Sequence, residues 1–220
     1  MKMMRLRYHN EMIAIGKILG IGRNYADHAK EMKSDIPDVP IIFLMPSTAV
    51  IQNGDPIVFP RFSNEMHHEA EIIIAIGKEC KNVTVDQAHE AILGYGIGLD
   101  MTLRDLQNEA KKKGLPWSVA KGFDTSAPIS EIIPKERIGS ERDLRLRCSV
   151  NGVVRQEGSI AEMIFSPEQI ISFASSVFTL ERGDLIFTGT PKGVGEVKPG
   201  DSIEAELVGH VRISHPVISG

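Results

Sequence analysis

The chain is poor in cysteine. Its 220 residues include only Cys80 and Cys148, and neither lies in a CxxC pair or a Cys/His cluster. Nothing here supports a structural zinc or dithiol redox motif. A chain of this length also needs no covalent staple, so both read as buried free thiols. Long apolar runs are missing as well. None exceeds five residues, far short of the roughly 20 that span a bilayer as a helix. An excess of basic charge is missing too. Lys and Arg number 25 against 29 Asp and Glu, a net charge of −4, which argues against nucleic-acid or anionic-membrane partners. The opening MKMMRLRYHNEM has basic residues but no apolar signal-peptide core, so a cytoplasmic, reducing location is expected.

What is present suits a single globular domain over residues 1–220, with 42% apolar and 25% charged residues. Strand-like stretches are predicted at 17–22, 41–45, 56–60, 69–76, 95–101, 144–150, 153–156, 184–188, 202–208 and 211–218. Helices are predicted over 24–32, from the Thr84-Val-Asp-Gln87 capping box towards Leu93, and over 102–113, capped by Thr102 and stopped by Gly114. Another starts at the Ser166-Pro167-Glu168-Gln169 cap, with Ile170, Phe173, Ala174, Val177 and Phe178 on one face. Lys33–Pro40 reads as a polar loop. Asn151-Gly152 between apolar runs predicts a hairpin turn with two positive φ angles. Strands dominate without regular alternation with helices. The expected class is therefore α+β, a mixed β-sandwich roll with peripheral helices.

Some charges sit against the local pattern. Glu69 and Glu71 stand two apart at the mouth of the apolar stretch Ile72–Ile76. In a strand they would share a face, where two carboxylates repel unless a cation or proton joins them. Asp100 ends the apolar stretch Tyr95–Leu99 and poses the same question. Three carboxylates without a soft ligand suit a hard octahedral ion such as Mg²⁺ or Mn²⁺. Spacing alone leaves another reading open, with the glutamates on a solvated face and Asp100 capping the next helix. His28 and Glu31 are i, i+3, so the acid can orient the imidazole as a general base, or the two form a surface ion pair. Arg104, Gln107 and Lys121 are candidate donors to a carboxylate or enolate. Lys111–Lys113 reads as solvated helix face. The loop Gly189–Gly195 lets backbone N–H groups and Thr190 approach an anion, yet lacks the order of a nucleotide-binding loop.

In order, Gly22-Arg-Asn-Tyr-Ala-Asp-His28, His68-Glu-Ala-Glu71, Leu99-Asp-Met-Thr-Leu-Arg-Asp105, Lys113-Gly-Leu-Pro-Trp-Ser-Val-Ala-Lys121 and Thr188-Gly-Thr-Pro-Lys-Gly-Val-Gly195 resemble the fumarylacetoacetate hydrolase family. The similarity covers the chain from about Lys17 onward and is greatest to the short acylpyruvase and oxaloacetate decarboxylase branch. The resemblance implies Glu69, Glu71 and Asp100 as ligands of Mg²⁺ or Mn²⁺. It implies His28 and Glu31 as a dyad on a lid, Lys121 as a catalytic and substrate-contacting group, and Arg104, Gln107 and Thr190 as substrate contacts. It implies a homodimer acting on a small keto acid, by acylpyruvate hydrolysis or oxaloacetate decarboxylation to pyruvate. Dienedioate isomerisation or decarboxylation, oxaloacetate tautomerisation and a non-catalytic metal-binding role are the alternatives. The larger two-domain hydrolases use a further aspartate ligand ahead of the histidine, where this chain has Ile21 and Gly22.

Overall fold

A computed structural model of the protein describes residues 1–31 and 35–220. An eight-stranded mixed sheet forms its centre. Its main path runs Ile41–Met45, Ile18–Gly22, Leu185–Phe187, Ala70–Ile76, Ile92–Leu99, Ala127–Ile129 and Val50–Gln52, and Ile133–Pro134 pairs with Ile92–Leu99. A five-stranded sheet runs Val153–Ser159, Arg145–Val150, Ser202–Leu207, Val211–Ser219 and Ile57–Phe59. A small sheet joins Thr102–Leu103, Met66–His68 and Gly195–Val197. These mixed sheets with few helices match the expected α+β class.

The two faces of the central sheet explain its apolar runs. Ile72, Ile74 and Ile76 pack into a core shared with Leu146, Cys148 and Ile203 of the five-stranded sheet and with Ile170 and Ala174. Ile73 and Ala75 point the opposite way, onto Met4, Leu6, Ile13 and Phe187. A strand covered on both faces has no polar side to alternate with, so it reads as a continuous run. Each fully buried isoleucine contributes about 1.5–3 kcal/mol. The second core needs a hairpin of Met3–Leu6 and Glu11–Ala14, which the sequence reading did not predict.

Several local expectations hold. Asn151 (φ 52°) and Gly152 (φ 76°) form the hairpin turn. Ser166 accepts from the Gln169 N–H and caps the helix Pro167–Val177, and Gly114 closes the helix Arg104–Lys113. Cys80 and Cys148 are buried free thiols. Others need correction. Thr102 does not cap its helix; it belongs to the strand Thr102–Leu103. The helix beginning after Thr84 is only Val85–Ala88, followed by a 3-10 turn. Ile171 and Ser175 are buried on the Pro167–Val177 helix, while Val177 is exposed. The first helix is Ala26–Glu31; Met32, and Lys33 and Ser34 of the predicted loop, lie outside the described residues.

Candidate active site

The site lies where the central and small sheets meet. Glu69 occupies the one-residue break between the strands Met66–His68 and Ala70–Ile76, rather than lying inside a strand as predicted. The extended chain continues through it, so Glu69 and Glu71 still emerge together. The Asp100 N–H donates to the Glu69 carbonyl at 2.8 Å, bringing the end of the Ile92–Leu99 strand alongside. The result is a buried cluster in which one carboxylate oxygen from each of Glu69, Glu71 and Asp100 lies within 4.8 Å of the others.

Two cations are built into this cluster. Lys121 Nζ donates to Glu69 Oε2 at 2.7 Å, Asp100 Oδ2 at 2.6 Å and Thr102 Oγ1 at 2.7 Å. Arg104 pairs with the other Glu69 oxygen and donates to Gln107 Oε1 at 2.7 Å. Its Nε faces His67 Nδ1 at 3.4 Å, and His67 in turn donates from Nε2 to Glu65 at 2.8 Å. Burial alone would push the Glu69 carboxyl up, but the Lys121 and Arg104 charges hold it well below the usual carboxylate range. Burial would likewise lower Lys121, and the charges of Asp100 and Glu69 raise it instead. Glu71 has one backbone donor, Gly189 N–H at 2.7 Å. Burial and the neighbouring Asp100 charge push it well above its ordinary value. Asp100, raised by burial and by Glu69 against the pull of Lys121, reaches about 6.

Three crowded carboxyls share two cations, with the Glu71 charge disfavoured by burial and by Asp100, and Asp100 Oδ1 has no hydrogen-bond partner among the described residues. An orphaned buried carboxylate oxygen is costly. A hard divalent cation answers both facts, since the donors are all carboxylate oxygens. The residues present therefore fit Mg²⁺ or Mn²⁺.

The surrounding cleft is lined by His28, Arg104, Gln107, Lys121 and Thr190 as well as the three carboxylates, so the structure brings every predicted site residue except Glu31 to one cavity. Glu31 stands behind His28, its Oε2 3.3 Å from Nδ1. A carboxylate only accepts, so Nδ1 is the donor in this contact. Glu31 also accepts from the Gly193 N–H at 3.1 Å, docking the Ala26–Glu31 helix on the glycine-rich loop. Gly189 has φ 99°, and a Cβ there would stand 2.7 Å from Asn24 Cβ, so glycine lets the backbone reach Glu71. Gly20 makes room in the same way. A Cβ there would meet the Phe43 ring at 2.2 Å, and Phe43 forms a wall of the cleft.

Besides Arg23, which also lines the cleft, the sequence reading missed two residues. Gln156 is buried and joins both sides of the site. Its Oε1 accepts from the Ala70 N–H at 3.0 Å and His68 Nδ1 at 2.9 Å; its Nε2 donates to Thr190 Oγ1 at 2.7 Å and the Pro191 carbonyl at 2.8 Å. Its strand offers no clue, because Val153 and Val154 are exposed while Gln156 is buried. Lys111 is the other. Lys112 and Lys113 are solvated as expected, but Lys111 lines the cleft. Its spacing from Arg104 and Gln107, i, i+3 and i+7 on one helix face, is the signal that could have found it.

Residues 17–218 match the family model described as fumarylacetoacetate (FAA) hydrolase C-terminal. The chain is 49% identical over 200 residues to human "Oxaloacetate tautomerase FAHD1, mitochondrial", covering 91% of this chain and 90% of that one. It is 47% identical to "Oxaloacetate decarboxylase, mitochondrial" of Dictyostelium discoideum, covering 88% and 89%. Among solved structures, fumarylpyruvate hydrolase from Pseudomonas aeruginosa in complex with Mn²⁺ and pyruvate superposes with a TM-score of 0.96 at 34% identity, covering 100% of this chain and 96% of that one. The motif order, the fold and these matches lead to one assignment: the chain belongs to the fumarylacetoacetate hydrolase family.

Proposed function

We propose that this chain is a Mg²⁺- or Mn²⁺-dependent enzyme that cleaves carbon–carbon bonds in small keto acids, hydrolysing acylpyruvates or decarboxylating oxaloacetate to give pyruvate. We place it in the cytosol as a homodimer of single-domain subunits. The observation that carries the reading is the buried carboxylate cluster with its unpartnered Asp100 oxygen, facing the same cleft as the His28–Glu31 pair. The relatives named for oxaloacetate and fumarylpyruvate chemistry support the same substrate class.

A divalent ion held by Glu69, Glu71 and Asp100 supplies Lewis-acid polarisation of an α-keto carboxylate. The chain's own groups do the rest. The Gln107 oxygen is taken by Arg104, which turns its amide N–H₂, without a partner among the described residues, into a donor for the substrate. Lys121, held protonated, places a fixed positive charge beside the reacting oxygens. His28 Nε2, oriented through Nδ1 by Glu31, takes a proton from water for attack on the distal carbonyl of an acylpyruvate. Decarboxylation needs no such water. A second reading has support from the human relative's name: the same Nε2 moving a proton at the carbon between the two carbonyls would tautomerise oxaloacetate.

A panel of acylpyruvates, oxaloacetate and dienedioates, assayed with excess Mg²⁺ for pyruvate, CO₂ and the enol absorbance, separates these activities. Release of pyruvate is expected; tautomerisation without pyruvate or CO₂ would overturn the cleavage reading. His28→Ala is expected to lower acylpyruvate hydrolysis about 10²- to 10⁴-fold while affecting oxaloacetate decarboxylation far less. Hydrolysis at the wild-type rate would remove His28 from water activation.

A further inference from the structure

Two of the cations that line the cleft have no carboxylate partner in it among the described residues. Arg23, Arg104, Lys111 and Lys121 all line it, against three acids. Arg104 and Lys121 are committed to Glu69 and Asp100. Arg23 and Lys111 form no ion pair among the described residues, and a bound divalent ion would raise the surplus further. A keto acid whose only carboxylate sits at the Glu69–Glu71–Asp100 cluster leaves Arg23 and Lys111 unanswered.

The position of the two cations is specific. Lys111 projects from the helix face that carries Arg104 and Gln107, and its Nζ lies 5.4 Å from the Trp117 ring centroid. Trp117 lies 5.9 Å from Phe43, whose ring is 5.1 Å from Lys121 Nζ. An aromatic wall thus leads from the buried ammonium at the carboxylate cluster to the half-buried ammonium of Lys111. Burial, and next the Arg104 charge, bring the Lys111 amine down to about 8, so its charged form gains from an arriving anion. Arg23 is also half-buried and has φ 60°. An arginine held in the left-handed region beside a cleft is backbone strain of the kind that collects at binding sites.

We infer that Arg23 and Lys111 form a distal-carboxylate subsite that selects dicarboxylic keto acids over keto acids with an uncharged tail. The inference rests on the keto-acid reading above and narrows its substrate class. The head of the substrate sits at the Glu69–Glu71–Asp100 cluster, its chain follows the Phe43–Trp117 wall, and its far carboxylate meets the two cations. Charge-assisted hydrogen bonds of this kind are strong enough to set specificity.

The test compares 2-oxoglutarate with 2-oxopentanoate, which have the same length and differ only in ending with a carboxylate or a methyl group. Binding to the Mg²⁺-loaded protein is measured by calorimetry, alongside turnover of oxaloacetate and acetylpyruvate. Wild type is expected to bind 2-oxoglutarate about tenfold or more tightly than 2-oxopentanoate. Arg23→Gln and Lys111→Gln should each cut that advantage about threefold or more, and the double variant should remove it. The same variants should lower the ratio of kcat/KM for oxaloacetate over acetylpyruvate, chiefly through KM. Arg23→Gly relieves the φ strain, so its loss of discrimination without loss of Tm separates recognition from folding. Equal affinities in wild type, or an undiminished advantage in the double variant, would overturn the subsite. Discrimination between the two ligands without release of pyruvate or CO₂ from any keto acid would instead overturn the proposed reaction and leave the subsite standing.

Discussion

Asp184 and Asp100 are both fully buried aspartates at the ends of apolar strands, and their surroundings differ in kind. Asp184 is satisfied. Its Oδ1 accepts from the Lys17 N–H at 2.9 Å, and its Oδ2 accepts from the Glu181 N–H at 2.7 Å and pairs with the Lys17 ammonium. No other carboxylate crowds it into a cluster among the described residues. Asp100 has one oxygen on Lys121 and the other on nothing, with Glu69 and Glu71 beside it. A satisfied buried carboxylate holds a corner together. An unsatisfied, crowded one destabilises its own fold, which makes chemistry its better explanation.

The comparison can be broken most sharply at Glu71. Glu71→Gln is expected to lower keto-acid turnover on the order of a thousandfold while leaving the Tm of the metal-free protein unchanged or higher, because burial and Asp100 already disfavour the Glu71 charge. A drop of several degrees in that Tm would make Glu71 a structural residue like Asp184. The converse substitution, Asp184→Ala, removes the nearer of two carboxylates from the half-buried Lys17 and leaves two backbone N–H groups without their acceptor. It should cost about 3–5 kcal/mol in denaturant unfolding, with kcat/KM of the remaining folded protein near wild type. Loss of activity with unchanged stability would contradict the contrast.

Gln156 lies between the two extremes, since it is a fully satisfied group that touches the site. Gln156→Leu should lower kcat/KM about 10- to 100-fold by releasing Thr190 and the Ala70 backbone, and should also reduce stability by about 1–3 kcal/mol. An effect on stability alone would place it with Asp184. The smallest expected effect is at His215, which is not part of the cleft lining. Its ring is buried, Nδ1 donates to the Asp55 carbonyl at 2.8 Å, and Nε2 has no partner among the described residues. Burial lowers its pKa, so the unfolded chain takes up a proton first as pH falls below about 6.5. Stability therefore declines below that pH by up to about 1.4 kcal/mol per unit. His215→Phe should flatten the slope between about pH 6.5 and 5, and an unchanged slope would assign it to other groups.

Much of this organisation was legible in the sequence because charges interrupted apolar strands. Glu69, Glu71 and Asp100 stood out against the isoleucines and glycines around them, and the structure brings them together. Helical spacing put His28 and Glu31 on one face but left a surface ion pair open, and only the family resemblance pointed to a dyad; the Asn151-Gly152 and Ser166 signals depend on local backbone chemistry that tertiary structure did not override. The misses share a physical cause. Gln156 is buried because its strand crosses to the 188–191 segment, a long-range fact absent from a strand whose valines face solvent. Lys111 was hidden by two exposed lysines, although helix phase distinguishes it from them. Thr102 looked like a helix cap, but pairing with His67 drew it into a strand, where its hydroxyl accepts from Lys121 and donates to the Asp100 carbonyl. The N-terminal hairpin was missed because its alternation, with Met4, Leu6, Ile13 and Ile15 buried, sits among basic and polar residues.

The measurement closest to the central claim is the thermal shift of wild type and Glu71→Gln with and without saturating Mn²⁺. An ion bound only by the folded state at about 100 times its Kd adds about 2.7 kcal/mol, or roughly 5–10 °C for a chain of this length. The cluster account predicts such a rise for wild type and little or none for Glu71→Gln. Equal shifts in both proteins, or no shift in either, would contradict it.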